Sequence, residues 1–364
     1  HFAVNDYALA EYDGTALYEY PNMAVGRNEW GSCNFMHSRG EVCSFLQSSA
    51  YYWMSEFHFD GLRMDAVGNL IYWQGDASRG ENLAALKFIR TMNQGLKERI
   101  PECLLFAEDS TPYQGVTKPV WDGGLGFDYK WDLGWMHDTL SYFQADADER
   151  REKYHKLTFS MMYFYKERYI LPLSHDEVVH GKATIAQKMN GDYDGKFPQA
   201  RAFYMYMYAH PGAKLNFMGN ELAQLKEWCE KDELDWVLLK FPIHEAFHKF
   251  MADLNKCYLK NNALFQRDFT QGGFSWVDCH QEQKCMYLFE RISGEQKILA
   301  VFNFSDEVQE YTLEKDYAGY ELLLASDMVK YGGKKRYTKK EKEIKGGKAV
   351  FKMGPFSARY YLVK

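Results

Sequence analysis

The sequence contains no long hydrophobic run and no excess of positive charge. No apolar segment approaches the roughly 18 to 20 residues that a membrane-spanning helix requires. The formal net charge of −6 over 364 residues offers no general attraction to nucleic acid or to an anionic membrane, so a neutral partner is expected. Cysteine is sparse and scattered: Cys33, Cys43, Cys103, Cys229, Cys257, Cys279 and Cys285 are odd in number and include no C-x-x-C pair. Reduced thiols in a reducing, cytoplasmic setting follow, and a zinc site has no support. The chain opens "HFAVNDYALAEYDG", without Met and without a signal-peptide pattern, as a segment starting inside a longer protein would. Internal repeats and low-complexity linkers are also missing.

The residues present are those of an ordinary globular protein, with 46% hydrophobic and 26% charged. At this length a large domain plus a smaller one is expected. Aromatic residues make up 17% of the chain; such rings stack on sugars, but their commoner task is to fill core volume.

Strand-like and helical segments alternate through the first two-thirds. In "ENLAALKFIRTMNQGLKERI" (81–100), Leu83, Leu86, Ile89, Met92, Leu96 and Ile100 recur at helical spacing. Four short apolar runs end in polar residues: "FDGLRMDAV" with Arg63 and Asp65, "PECLLFAEDS" with Glu108 and Asp109, "ERYILPLSHDEVVHG" with His175, Asp176 and Glu177, and "AKLNFMGNEL" with Glu221. Alternating β/α units imply a covered parallel sheet, and polar groups at the C-terminal ends of its strands are what a (β/α)8 TIM barrel presents to substrate. Residues alternate faces along a strand, so Arg63 and Asp65 share one face; in a packed core they would need partners, and at a barrel mouth they would be free to act. From about residue 263 the texture changes to "FSWVDC", "MYLFER", "KILAVFNFS", "AVFKM" and "ARYYLVK", the pattern of an antiparallel β-sandwich. The expected domains are a barrel over 1–262 and an all-β domain over 263–364. The basic run "KKRYTKKEKEIKGGK" (334–348) reads as a solvated hairpin or loop.

Asp65, Glu108 and Asp176 close three successive strands. Retaining glycoside chemistry uses one carboxylate as nucleophile and one carboxylic acid as proton donor, about 5 to 5.5 Å apart. A guanidinium at Arg63 would keep Asp65 ionised, while the apolar "LLFA" before Glu108 would raise its pKa. His175 and His180 are five residues apart and would not share a helix face, so no metal site is expected there. "GGLGF" (123–127) reads as a cluster of loop glycines. Trp131 and Trp135 are candidates for stacking on glucose units, with simple packing as the alternative; Trp30 is expected to pack. Glu221 either lines a substrate groove or caps a helix.

"DGLRMDAV", "LLFAEDS" and "LSHDEVVHG" resemble three of the four sequence blocks of the α-amylase clan of glycoside hydrolases. "NDYALAEYDGTALYEY", "GGLGFDYKWDLGWMHDTL", "LPLSHDEVVHGK", "FMGNELAQLKEW" and the terminal "PFSARYYLVK" are similar to the glycogen (1,4-α-glucan) branching enzymes within it. The resemblance implies Asp65 as the nucleophile, Glu108 as the general acid/base and Asp176 as the acid that steadies an oxocarbenium-like transition state. It implies Arg63 as the residue that orients the nucleophile, and His175 and His1 as sugar-binding histidines. The implied reaction cleaves an α-1,4 glucan and transfers the chain to a 6-hydroxyl, with no metal or organic cofactor. Against the family pattern, an aspartate shortly before the position of His1, the first three barrel strands and an N-terminal carbohydrate-binding module are not in this sequence. A partial barrel of about strands 4 to 8 is therefore expected, with open sheet edges, and poorly stable or inactive when isolated. The same trio would serve a hydrolase of the clan; a non-catalytic glucan-binding protein is the alternative from another class.

Overall fold

The structure is a computed structural model that describes residues 1–5, 8–315 and 317–364. Residues 6 and 7, inside the "NDYALAEYDGTALYEY" string, lie outside the described residues. Two compact units emerge, His1–Trp131 with Lys166–Tyr169, and Asp132–Tyr165 with Ile170–Lys364.

In the first unit, β1 (Gly61–Met64), β2 (Leu104–Ala107) and β3 (Tyr129–Trp131) run parallel, with Arg63 opposite Phe106 and Phe106 opposite Tyr129. Gly61 is required at the start of β1, because a Cβ there would collide with the Leu104 carbonyl across the ladder. The helix expected over 81–100 spans Leu83–Arg99, and the Asn82 side chain caps it by accepting from Ala85 N–H. Leu86, Ile89, Met92 and Leu96 lie in one buried cluster with Leu105 and Ala107 of the sheet. Leu83, expected on that stripe, is 72% exposed; it sits in the first turn, ahead of the residues that reach the core.

In the second unit, β4 (Tyr169–Leu173), which enters it at Ile170, pairs in parallel with β5 (Ala213–Asn216), and helix Tyr193–Ala209 makes the crossover between them. Nearly every residue of that helix from Phe197 onward is buried, which explains why its sequence carries no amphipathic period. Helix Pro242–Lys260 follows, with Phe247, Phe250, Met251 and Leu254 inward.

The chain then forms β6 (Phe274–Gln281), β7 (Met286–Ser293), β8 (Gln296–Asn303), β9 (Gln309–Thr312), β10 (Tyr317–Ala325), β11 (Glu343–Gly347), β12 (Val350–Met353) and β13 (Ser357–Val363). Six of these build an antiparallel sheet in the order β11-β10-β13-β8-β7-β6, and β12 pairs with β9. Alternation along β7 divides the two faces. Tyr287 and Phe289 join the cluster that contains the crossover helix, whereas Met286 and Leu288 meet Leu313, Phe351 and Met353 on the other side. The architecture is a partial (β/α) barrel with a C-terminal antiparallel β-sandwich, whose second sheet has just these two strands among the described residues. The basic run is more ordered than a loop. Thr338 and Glu341 form a capping box over the short helix Lys339–Lys342, which leads directly into β11. The seven cysteines form no disulfide. No described helix is long and apolar enough to cross a membrane.

Candidate active site

The first unit gathers five of the residues singled out in the sequence. β1 ends at Met64, and Asp65 follows on the Arg63 side. Arg63 Nη1 lies 2.7 Å from Asp65 Oδ1, and its Nη2 lies 3.9 Å from Glu108 Oε2. The guanidinium sits 4.2 Å over the Trp131 ring. His1 Nε2 approaches Asp65 Oδ2 at 3.7 Å. One planar cation thus holds two carboxylates, and an aromatic floor fixes the cation.

The backbone completes the arrangement. Ala66 adopts a left-handed conformation (φ 45°, ψ 47°), uncommon for a residue with a Cβ. That kink aims the Ala66 N–H at Glu108 Oε2, 2.6 Å away, while Val67 N–H bonds the Glu108 carbonyl at 2.8 Å. The Glu108 pKa is raised. Burial is the largest cause; the Ala66 N–H and the Arg63 charge pull it down, and Asp65 and Asp109 push it up. The two carboxylates therefore differ in setting: the Asp65 side chain is 53% exposed and that of Glu108 is 21% exposed.

Beneath them lies an ion pair that the sequence reading missed. Lys130 Nζ meets Asp109 Oδ2 at 2.8 Å and the Thr111 carbonyl at 3.0 Å, with both charged side chains buried. Its signal was a lysine alone in the apolar strand "YKW", which has to find a counter-charge once buried.

In the second unit, β4 runs into the 3-10 turn His175–Val178, where His175 Nε2 lies 3.3 Å from Asp176 Oδ1 with both side chains substantially open to solvent. His180 lies outside that turn, in the left-handed region. β5 ends at Asn216, and Glu221 sits in the turn Asn220–Leu222. Its carboxylate accepts from Gly219 N–H at 2.9 Å, a local capping contact.

Trp131 and Trp135 take the packing alternative, and Trp30 departs from expectation. Trp135 is packed in the core of the second unit and Trp131 lies beneath Arg63, with exposures of 1% and 5%, so neither offers an open ring face to a sugar. Trp30, expected to pack, is 58% exposed, with its ring 5.3 Å from the His1 imidazole. Periodicity cannot separate a tryptophan facing a cleft from one facing a core on the same element.

Residues 276–364 match the family described as the α-amylase C-terminal all-β domain. The 1,4-α-glucan branching enzyme GlgB of Fusobacterium nucleatum is 45% identical over 339 residues, covering 92% of this chain and 55% of the relative. Its namesakes from Oceanobacillus iheyensis and Geobacillus stearothermophilus are 42% and 40% identical over 92% of the chain. Over 92% of its length the chain is similar to 1,4-α-glucan branching enzymes. It spans about half the length of the curated relatives it matches. Among solved structures, an Anoxybacillus α-amylase aligns with a TM-score of 0.60 at 16% identity, covering 92% of this chain and 65% of that one. A pullulanase complexed with maltotetraose, from Anoxybacillus sp. LM18-11, aligns with a TM-score of 0.64 at 12% identity, covering 99% and 50%. These two likenesses concern the fold alone. The Arg63–Asp65–Glu108 cluster follows β1 and β2 at their C-terminal ends, where parallel β/α units carry their active sites.

Proposed function

We propose that the whole protein is a 1,4-α-glucan branching enzyme acting by retaining double displacement, with residues 1–262 as its catalytic barrel and 263–364 as its β-domain. Asp65 attacks C1 of the glucosyl unit while Glu108 gives its proton to the departing O4, so the α-1,4 bond breaks as a glucosyl–Asp65 ester forms. The 6-hydroxyl of a second glucan then attacks C1, Glu108 takes its proton, and the ester opens to leave an α-1,6 branch. Asp176 and His175 hold the sugar hydroxyls, and His1 the sugar nearest Asp65. Arg63 holds Asp65 aimed through its 2.7 Å contact. The substrate is an α-glucan; the chemistry asks for no metal or organic cofactor.

The observation that carries this reading is the single guanidinium between an open carboxylate and a half-buried one with a raised pKa. It gives the two acids the unequal settings that nucleophile and proton donor need. Amylose treated with the protein is expected to lose iodine colour with little gain in reducing ends, and Asp65→Asn to abolish that loss. A matching rise in reducing ends would mean hydrolysis instead. Unchanged turnover in Asp65→Asn would remove Asp65 from the mechanism, and binding without turnover would leave a glucan-binding protein.

A further inference from the structure

The second unit contains a cavity of about 800 Å³, lined by none of the candidate active-site residues, between the first turns of helix Tyr193–Ala209 and the segments 327–336 and 352–356. Arg201 lines it and is 3% exposed. Its Nε donates to the Ser326 carbonyl at 2.8 Å, but neither Nη group has a hydrogen-bond partner among the described residues, and no carboxylate lies within 4.0 Å of the guanidinium. The nearest candidate, Asp327, is engaged elsewhere: it accepts from Tyr337 OH at 2.6 Å and faces Arg359 at 3.6 Å. Burial pulls the Arg201 pKa down to about 10, as expected for a cation that lacks a counter-charge in contact.

A guanidinium this buried with free donors is costly unless something answers it. The rim of the cavity shows what would. Lys334, Arg336 and Lys352 line it, are exposed, and have no carboxylate in ion-pair range among the described residues; Lys335 is already paired with Glu341 at 3.0 Å. Asp194 and Asp327 are the acids in the lining. The remaining wall is apolar, with Ile243, Val308, Pro355 and Phe356. An anion at Arg201 would meet the buried fork first and the three rim cations around it, while its organic part lay on the apolar wall.

We propose that this cavity binds a phosphomonoester, with the phosphate on the free Nη donors of Arg201 and the esterified group against Ile243, Val308 and Phe356. Arginine's planar fork suits two phosphate oxygens, and three further cations match a dianion. The apolar wall selects an ester over inorganic phosphate. The site is independent of glucan chemistry and is read by binding alone.

The test is calorimetric titration of the protein with phenyl phosphate and with inorganic phosphate at constant ionic strength, with sodium chloride as the control. Phenyl phosphate is expected to bind with a Kd below about 1 mM and inorganic phosphate at least about tenfold more weakly, the difference reporting the apolar wall. The double variant Lys334→Ala/Arg336→Ala, which alters exposed side chains alone, should weaken phenyl phosphate by about tenfold. Arg201→Gln should abolish binding, with circular dichroism and the unfolding midpoint checking that it folds. Absence of phenyl phosphate binding by the wild type, or binding that the double variant leaves unchanged, would overturn the proposal. Equal affinity for the two phosphates would reduce the site to an oxyanion hole and overturn the ester assignment.

Discussion

At the scale of single residues, Arg63 does two things that pull Glu108 and Asp65 apart chemically. It touches Asp65 closely and Glu108 at a distance, so its attraction falls mainly on Asp65. Glu108 receives less of it and is more buried, and its pKa rises. The sign of the resulting pH dependence follows. A proton donor works while protonated, so a raised pKa extends activity upward and kcat/KM falls as pH climbs through it. Replacing Arg63 by Gln removes an influence that lowers the Glu108 pKa, and should therefore move the alkaline limb to higher pH while reducing the rate. Glu108→Gln should lower kcat by at least about a hundredfold and lose that limb. A pH profile of Glu108→Gln that keeps the wild-type alkaline limb would assign the limb to another group.

At the scale of elements, the segments whose chemistry was legible are those where one physical demand dominates. Helix Leu83–Arg99 shows its buried stripe because one face meets the sheet and the other meets water; helix Tyr193–Ala209 hides its role because it is covered on all sides. The runs ending in Arg63–Asp65 and Glu108 stood out because charge at the end of an apolar strand needs a reason. Ala66 could not be read that way: its left-handed backbone and the N–H it gives to Glu108 arise from a tertiary contact that no local pattern encodes. The same holds for β9, β10 and β11, which lack clear alternation or sit beside basic turns, and for Trp135, whose spacing fits a cleft or a core equally. Arg150 is a further case of a charge whose meaning is tertiary. It is 1% exposed and donates to the carbonyls of Ala145, Phe143 and Phe304 at 3.1, 2.9 and 2.9 Å, tying the end of one helix and the start of another to the exit of β8. Arg150→Met keeps much of the apolar stem but takes the side-chain donor away from the buried Ala145 and Phe304 carbonyls and from Gln199 Oε1, while the Phe143 carbonyl keeps the Asn190 N–H. Chemical denaturation should show about 3 to 5 kcal/mol of lost stability; a loss below about 1 kcal/mol would mean that the carbonyls find other donors.

At the scale of the whole molecule, each compact unit buries a histidine in its neutral form, and this couples the stability of both to acid. In the first unit His37 is 7% exposed, with its ring 4.8 Å from Phe88, and burial lowers its pKa to about 4. In the second, His210 is 1% exposed and its pKa falls to about 3, again through burial. Its Nδ1 lies 2.7 Å from the Pro211 carbonyl and so must donate, which leaves Nε2 to accept from Ser160 Oγ at 2.8 Å. An unfolded histidine takes up its proton near pH 6.5, so between there and the folded values the unfolded chain binds more protons. The stabilisation is complete above pH 6.5 and drains away as pH falls toward 4 for His37 and toward 3 for His210. By pH 5 each has lost about 2 kcal/mol. Unfolding midpoints should therefore drop between pH 7 and pH 5. His37→Phe, which keeps a ring against Phe88 and removes the titrating nitrogen, should flatten the pH slope for the first unit alone. If the variant follows the wild-type slope across that window, the acid sensitivity comes from the carboxylates rather than from a buried imidazole.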